Sequence, residues 1–528
     1  MRPFTSAGTK TSLLRQAINI SPRLPAPKTS ITTRRLHLTT PTFKMSSKPD
    51  MEAATPHCIS IPPSATGLWG TPSSSPSPLL PSTYPGPIIP SQPPQASSLL
   101  SRLLQSDMAH HHVFFNTDGF HNHIPHHLLA LYGTSAPAEA LQKAYDGNAG
   151  YQRPVLPEHK EVVSDLITDW KRDAKKYLGR EVYYPDFLAF FKREMDAAAA
   201  RTEKDGKELG YEEVVNEYLF SGTPEADNLL VRLYSGFLHP LIQLMYGLEW
   251  KQPAIVAEGL AQAAVHGDDI GVYLLGAERE AARVKSKSDA PEQMDRILDL
   301  LERGVRGNEK LAKAARMGDA NKIRDGVLVR AKEEAIQLAA KVKLKATTEK
   351  ELHERTAEMY DAAVFMASAA ALVKRDQKKP PRFDFFLMHH VTSAPFFTTV
   401  NAQDWISFDT KVRLLEWKIR MDLVQYAARG APELSLDAIT SYQPKEKKKA
   451  SGTPEEIISS NLHFFEDDGH AIKLARAARI CQLYYQTRDD EYWNKIYHLI
   501  VDSVLAPGPN WVRSCGFDEA WEEIPDVE

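Results

Sequence analysis

Most of the chain places apolar residues at three- and four-residue spacings, the period of an α-helix with one buried face. The segments with this pattern are 124–145, 157–178, 182–200, 211–220, 224–247, 253–284, 291–345, 350–374, 408–428, 454–464, 468–486 and 489–505. Runs of strict two-residue alternation, which indicate strands, are nearly absent. We therefore predict an all-α fold, a single large multi-helical globular body over residues 99–528 that follows a disordered N-terminal extension.

Local signals indicate where some helices begin and end. Gly133 interrupts the apolar pattern of the first predicted helix. Asp467 or Asp468 would cap a helix that opens near His470, because a carboxylate there accepts from free backbone N–H groups. The many small residues of 253–284 are compatible with close packing between helices.

The N-terminal residues differ in composition from the rest. Residues 1–50 contain nine Lys or Arg residues and no acidic residue before Asp50, a composition typical of a mitochondrial transit peptide. A true start at Met45 or Met51 would explain the same segment equally well. The protein is therefore expected in the cytoplasm, or in mitochondria if the transit peptide is genuine. Residues 51–98 are rich in Pro and Ser and are predicted to be a disordered lead-in.

Composition argues against several classes of function. A formal net charge of −4 gives no basic surface for nucleic acid. No stretch reaches the roughly 18 apolar residues of a membrane-spanning helix. Three scattered cysteines are too few for a thiolate metal site. The sequence also lacks the glycine-rich nucleotide loops, the GxSxG elbow and the HExxH zinc helix.

Histidines are the main candidates for chemistry. Seven of the eighteen fall between His110 and His127, and later ones in apolar segments include His239, His389, His390 and His470. Histidine is the commonest side-chain metal ligand and a usual acid or base near neutral pH. Each one alone is explained as well by a helix cap or a satisfied core residue. Adjacent helix positions point about 100° apart, so at most one of the neighbouring pair at 389–390 easily faces a given site.

Lys418 lies on an otherwise apolar helix together with Glu416, Arg420 and Asp422. One interpretation is a structural helix held by salt bridges. The other is a buried lysine whose pKa is lowered by loss of solvation. A neutral lysine amine can react with carbon dioxide to form a carbamate, which offers anionic oxygen to a metal. The residues leave both interpretations open.

Five motifs in order resemble the questin oxidase-like proteins of fungi over about residues 111–511. They are GFHNHIPHHLLALYGTSA, GFLHPLIQLMYGLEW, FDFFLMHHVTSA, LLEWKIRMDLVQYAARGAPEL and DDGHAIKLARA. The resemblance implies an oxidoreductase that acts on an aromatic polyketide such as an anthraquinone, using O2 for Baeyer–Villiger-type oxygen insertion or ring cleavage. Some members are described as flavin-free and NADPH-dependent. A related member holds non-haem iron with four histidines and a carboxylated lysine.

Carried onto this sequence, the resemblance implies a catalytic iron(II) site. The implied ligands are His123, His239, His389, His470 and Lys418, with His126 and His390 as rivals within their motifs. NADPH is a candidate further cofactor, and neither flavin nor haem is expected. Aromatic residues that either line a substrate pocket or form plain core are Tyr246, Trp417, Phe385 and Phe386. Gln243 departs from the family pattern, which has a histidine there in many members.

Three hypotheses follow for the activity. The protein is a helical non-haem iron oxygenase, a metal-free NADPH-dependent oxygenase of the same fold, or a non-catalytic helical scaffold whose histidines are satisfied core residues. The expected partners are a small aromatic polyketide and O2, with no nucleic acid and no membrane span. Convergence of the four histidines and Lys418 would favour the first hypothesis.

Overall fold

A computed structural model of the protein describes residues 53–69, 91–202, 210–285, 294–374, 378–444 and 452–527. The predicted N-terminal extension, residues 1–50, lies outside them. Within these ranges the chain forms helices, turns and loops, and extended pairing is limited to three isolated bridges. The predicted all-α fold is confirmed. None of the helices in these ranges combines the length and apolar character that crossing a membrane requires.

The α-helices of the described residues are numbered in chain order. They are α1 (Pro94–His110), α2 (Ile124–Tyr132), α3 (Ala138–Ala149), α4 (Lys160–Thr168), α5 (Trp170–Asp173), α6 (Tyr184–Thr202), α7 (Tyr211–Val215), α8 (Pro224–Leu233), α9 (His239–Glu249), α10 (Pro253–Val265), α11 (Gly271–Lys285), α12 (Ile297–Asp299), α13 (Glu309–Ala312), α14 (Leu328–Arg330), α15 (Lys332–Ala340), α16 (Glu349–Ala370), α17 (Phe385–Thr392), α18 (Pro395–Asn401), α19 (Phe408–Ala428), α20 (Leu436–Thr440), α21 (Pro454–Leu462), α22 (His470–Tyr485) and α23 (Asp490–Leu505). Short 3-10 helices span Gly67–Trp69, Ala174–Lys176, Glu181–Tyr183, Gly236–Leu238 and Asp518–Trp521, and π-helical turns span Asn216–Phe220, Leu300–Arg306 and Lys322–Val327.

Capping residues explain where several of these helices begin. The Ser407 side chain accepts a hydrogen bond from the third backbone N–H of α19, whose range equals the predicted 408–428. Thr348 and Glu351 form a reciprocal capping box at the start of α16. These local bonds are readable from the sequence, because each needs only residues one turn apart.

Helices α9 and α10 pack backbone to backbone, as the small residues of this region indicated. A Cβ on Gly259 would lie 2.8 Å from the Leu244 amide nitrogen, and a Cβ on Gly247 would lie 2.6 Å from that of Val256. Only glycine permits these approaches. The close contact fixes the helix that begins with His239.

The predicted helix 224–247 is two helices separated by a left-handed turn. Gly236, Phe237 and Leu238 have φ values of 56°, 56° and 66°. Three successive residues in this region cannot continue a right-handed helix, and for the two that are not glycine the conformation is strained. As a result α8 ends at Leu233 and α9 starts afresh at His239.

Residues 53–69 are packed on the helical body, which differs from the disordered lead-in predicted for 51–98. The Ser60 amide donates to Gln252 Oε1 at 2.9 Å, and Gln252 Nε2 donates back to the Ser60 carbonyl at 3.0 Å. The buried apolar side chains of this segment are Ile59, Ile61 and Trp69. The Pro- and Ser-rich composition predicted disorder. The contacts that hold this segment could not be read from it, because their partners are distant in sequence. The first α-helix also begins earlier than residue 99, at Pro94.

Candidate metal centre

The four histidines predicted to form one site lie side by side. His123 directly precedes α2, His239 and His470 open α9 and α22, and His389 lies within α17. Ring centroids are 5.0 Å apart for His123 and His239, and 4.6 Å for His123 and His470. The centroid of His389 is 4.8 Å from that of His239 and 5.1 Å from that of His470. All four are buried, and we refer to them as the histidine cluster.

Two of the cluster histidines donate to backbone carbonyls. His239 Nδ1 lies 2.7 Å from the Gly236 carbonyl oxygen, and His389 Nδ1 lies 2.5 Å from that of Phe385. A carbonyl oxygen can only accept, so both rings carry their proton on Nδ1 and leave the Nε2 lone pair free. Partners that hold Nδ1–H in this way are typical of metal-binding histidines.

One carboxylate accepts from the other two histidines. Asp468 Oδ2 lies 2.9 Å from His123 Nδ1, and Asp468 Oδ1 bonds to His470 Nδ1. Burial opposes ionisation of Asp468, but the neighbouring histidines hold its pKa well below the usual range. The carboxylate therefore accepts at both oxygens, which leaves the Nε2 lone pairs of His123 and His470 free as well.

These free Nε2 atoms face one another. Those of His123 and His239 are 2.9 Å apart, and ligand atoms of His123, His239 and His470 all lie within 4.8 Å of one another. Among the described residues, the buried Nε2 atoms of His389 and His470 have no hydrogen-bond partner. Burial lowers the pKa of His239 and His389 well below the usual value and that of His470 to about 3, so the rings stay neutral.

The cluster fits a metal ion on two grounds. Two imidazole nitrogens bound about 2.1 Å from one ion at a right angle lie about 3.0 Å apart, which agrees with the 2.9 Å between His123 and His239 Nε2. Buried lone pairs that face one another without a donor cost free energy, and a cation would remove that cost. Imidazole ligands suit iron, zinc, copper and nickel. Within the histidine cluster, His123, His239 and His470 could therefore hold a metal ion.

Lys418 is not brought together with the histidine cluster. Its Nζ donates to Asp422 Oδ1 at 2.5 Å and lies 3.7 Å from Met359 Sδ, and no cluster histidine is among its contacts. Asp422 Oδ1 also lies 2.5 Å from Nδ1 of His390. The rotation between adjacent helix positions therefore directs His389 to the cluster and His390 to the Lys418–Asp422 pair. An acidic partner one turn along the same helix holds the lysine that the motif had suggested as a ligand.

Lys473 is the lysine that lies beside the histidine cluster. It follows His470 by one helical turn on α22 and is buried. In the described part of the chain its amine has no hydrogen bond or ion pair. Burial lowers its own pKa to about 8. Burial and the positive charge of Lys473 together lower the pKa of His123 and His389. The spacing of three residues after His470 was the sequence signal that could have identified it.

Sequence reasoning also missed the role of Asp468, which it considered only as a helix cap. The neighbouring Asp467 makes the backbone contacts, accepting from Gly469 N–H at 2.7 Å and Ala471 N–H at 2.8 Å. Asp468 is thereby free to bond the two histidines. One of the two successive acids thus caps the helix and the other bonds the histidines. The directions of their side chains determine which acid has which role.

A second pair of histidines supports His239. The ring of His121 stacks on it with centroids 3.9 Å apart, and His121 Nε2 lies 2.8 Å from His266 Nε2. A Cβ on Gly236 would lie 2.2 Å from His266 Nε2, so glycine is required where the backbone passes this pair. No motif in the sequence pointed to His266.

The residues behind α9 form a buried polar group. Gln243, which stands where a histidine was expected, donates to Glu258 Oε2 at 2.8 Å. Burial raises the pKa of Glu258 to about 8. Gln243 and Glu258 line one small cavity with Asp107 and Asn122. Gln243 is thus bonded to an acid outside the histidine cluster.

The four aromatic candidates divide into two pairs. Tyr246 and Trp417 are core residues, and Trp417 Nε1 donates to Glu278 at 2.7 Å. Phe385 adjoins the histidine cluster, with its ring centroid 4.9 Å from that of His389 and from that of His470. Phe386 follows it and is half-buried. Phe385 is thus the aromatic candidate whose ring contacts the cluster histidines, and Phe386 packs against Phe385.

The fold and the buried centre define an all-α protein built around neutral histidines. The sequence profile of the questin oxidase-like family matches residues 120–478. This range includes all four cluster histidines, Asp468 and Lys473. The chain belongs to the questin oxidase-like family.

The match to individual relatives extends over nearly the whole length of each relative. A Baeyer-Villiger monooxygenase of Cryptosporiopsis sp. is 36% identical over 442 residues, 81% of this chain and 93% of the relative. A Baeyer-Villiger oxidase of Pestalotiopsis fici is 33% identical over 81% of this chain and 93% of its own length. A questin oxidase of Aspergillus fumigatus is 34% identical over 82% of this chain and 95% of its own length. The protein is an oxidoreductase.

Proposed function

We propose that the protein is a non-haem iron oxygenase that inserts oxygen into, or cleaves, a ring of an aromatic polyketide such as an anthraquinone. The observation that carries this proposal is the convergence of ligand atoms of His123, His239 and His470 within 4.8 Å of one another. The His389 ring lies beside them, and each of the four rings is held by an acceptor at Nδ1. The names of the relatives, Baeyer-Villiger oxidases and questin oxidases, support the reaction type and the substrate class.

We further propose that Lys473 takes the role that the family resemblance suggested for Lys418. An unprotonated Lys473 amine would add to carbon dioxide, forming a carbamate and releasing one proton. The anionic oxygens would then lie beside four neutral imidazoles. The position of Lys473 one turn after His470 and its lack of an ion pair within the described residues support this role. Lys418 is bonded to Asp422 instead.

The residues of the chain would position the reactants. Iron(II), when bound, would supply the electron-transfer chemistry with dioxygen that neutral imidazoles alone lack. Asp468 and the Gly236 and Phe385 carbonyls fix the orientation of the imidazoles. The buried surroundings of the cluster exclude bulk water. Phe385 offers a flat apolar face beside His389 and His470.

The test is metal analysis of the anaerobically purified full chain by mass spectrometry, beside three variants. We expect one iron per chain in the wild type, its loss in His239→Ala, a reduced content in Lys473→Met and an unchanged content in Lys418→Met. A carbamate signal in ¹³C NMR under labelled carbon dioxide should vanish in Lys473→Met alone. Iron loss in Lys418→Met but not in Lys473→Met would contradict the reassignment of the lysine.

Oxygen consumption distinguishes the alternative activities. Insertion of one oxygen atom requires two electrons from a reductant such as NADPH, whereas cleavage that incorporates both atoms requires none. NADPH-coupled oxygen uptake by protein without metal would replace the proposal with a metal-free oxygenase. A folded protein with neither metal nor turnover would indicate a non-catalytic scaffold.

A further inference from the structure

We propose that Arg513 binds an anionic oxygen of the aromatic substrate, an ionised phenol or a carboxylate, while the substrate ring stacks on aromatic side chains next to the histidine cluster. This inference rests on the proposed function, since it assumes that the substrate reaches the cluster. It adds the chemical class of substrate that the site selects: a planar aromatic ring that carries a negative charge.

Four aromatic side chains lie next to the histidine cluster or in a row that leads to it. We call them the aromatic rim and define it as Phe237, Phe385, Phe386 and Trp511. The centroids of Phe237 and Phe386 are 4.6 Å apart. Phe385 lies 4.9 Å from His470, and Trp511 lies 5.9 Å from it on centroids. Phe237 is 38% exposed, whereas Phe385 is buried, so the rim extends from solvent to the histidine cluster.

Phe237 is an unexpected residue at the outer end of this rim. It has a φ of 56°, a conformation that costs free energy for any bulky side chain. More than a third of the residue's surface is exposed, so burial offsets that cost only in part. Strain and exposure in one aromatic residue indicate a position kept for binding rather than for stability.

Arg513 lies over the rim without a counterion. Its guanidinium carbon is 4.8 Å from the Phe385 ring centroid, and the side chain is half-buried. Within the ranges that the structure describes, the guanidinium has no hydrogen bond or ion pair. Burial lowers the pKa of Arg513, and the carboxylates of Asp384 and Asp468 act in the opposite direction.

Both of those carboxylates are committed to other groups. Asp384 accepts from the backbone N–H groups of Phe386, Leu387, Ser514 and Cys515. Asp468 accepts from His123 and His470. A half-buried arginine without a partner is unfavourable, and an anionic ligand would form a charge-assisted hydrogen bond with it.

A second, buried arginine adds positive charge next to the aromatic rim. Arg429 is buried, with its guanidinium carbon 4.2 Å from the Phe386 ring centroid, and it donates to Ser514 Oγ at 3.1 Å. Two guanidinium groups thus lie over two rings of the rim. The combination is complementary to a flat ring with an anionic oxygen, and an ionised phenol is also the more easily oxidised form of an aromatic ring.

The test compares two probes that differ only in charge. The metal-free full chain is titrated calorimetrically with 2-hydroxyanthraquinone and with 2-methoxyanthraquinone, at a pH where the hydroxyl is ionised. We expect the wild type to bind the anion about tenfold or more tightly, the range for a hydrogen bond to a charged group. Arg513→Gln should abolish this preference and leave the affinity for the methyl ether unchanged. Arg513→Lys should keep part of the preference, because the charge remains.

Arg180→Gln is the matched control, because Arg180 is exposed and lies 4.6 Å from the Tyr183 ring centroid in the same kind of contact. It should behave as the wild type. Any of three results would overturn the inference. The wild type binds neither probe, the Arg513→Gln variant retains the preference for the anion, or that variant loses affinity for both probes equally. If the metal analysis finds that the protein binds no iron, and the preference for the anion still depends on Arg513, the proposed iron chemistry would be refuted and this inference would stand.

Discussion

Asp468 offers the sharpest test of how the histidine cluster is organised. Its two oxygens accept from His123 Nδ1 and His470 Nδ1, so one carboxylate sets the proton position on two rings. In Asp468→Asn the amide keeps the shape, but only its oxygen can accept, and its NH2 group must donate. One imidazole must then place its proton on Nε2, the atom that faces the cluster.

The expected size of the effect follows from this change of proton position. Replacing the outer partner of a metal-bound histidine typically costs about 10- to 100-fold in metal affinity, or about 1.4 to 2.7 kcal/mol. Asp468 bonds two histidines and also contributes negative charge, so we expect a loss near the upper end. That imidazole can return its proton to Nδ1, and free its Nε2 lone pair for the metal, only by giving up its hydrogen bond to the side chain at position 468.

The assay is a competition titration of iron(II) against a chelator under anaerobic conditions. Asp467→Asn is the control, because among the described residues Asp467 accepts from the backbone N–H groups of Gly469 and Ala471 and from no cluster histidine. Asparagine keeps one of these two bonds and is itself a good capping residue. We expect Asp467→Asn to bind iron within about twofold of the wild type, well below the effect at 468. Equal affinities for wild type and Asp468→Asn would refute the reasoning that Asp468 fixes the lone pairs.

Two further predictions concern stability. Burial raises the pKa of Glu258 to about 8 from the ordinary value of 4.5, so the folded state holds a proton that the unfolded chain releases, and stability declines as pH rises through that window. Glu258→Gln should remove this decline, and urea unfolding at pH 5 to 9 should show the variant gaining on the wild type; parallel curves would contradict the assignment. Gly236→Ala adds a Cβ 2.2 Å from His266 Nε2 at a φ of 56° and should cost about 2 kcal/mol or more in unfolding free energy. Gly222→Ala, which has a φ of 71° but open space around the Cβ, shares only the backbone strain, so an equal loss in both variants would show that the histidine contact contributes nothing.

Much of the fold could be predicted because helices are local. The range of α19 and the interruption after Tyr132 follow from periodicity, caps and glycine, which act over one or two turns. The break at 236–238 could not be predicted in this way, because phenylalanine and leucine rarely adopt positive φ. The packing of residues 53–69 was also missed, since its partners, such as Gln252, lie far along the chain.

The site shows the same division in its residues. One histidine per motif was predicted to form the histidine cluster, and the rotation between adjacent helix positions predicted that only one of His389 and His390 would face it. The structure decided that this residue is His389. The sequence placed Lys473 one turn after His470 but left open whether Lys418 is a ligand or part of a salt-bridged helix. The structure shows Lys418 bonded to Asp422, whereas the Lys473 amine has no hydrogen bond or ion pair among the described residues.

The sequence by itself determined the helical class, the family and the histidines available for a centre, because these depend on residue types at fixed spacings. The tertiary structure alone decided which lone pairs meet, which acid orients them and which lysine lies beside them. It also decided that the guanidinium over Phe385 has no hydrogen bond or ion pair within the described residues. Those properties depend on distances of a few ångströms between helices that are remote in sequence. Hydrogen bonding and loss of solvation change steeply over such distances, and helical periodicity does not encode them.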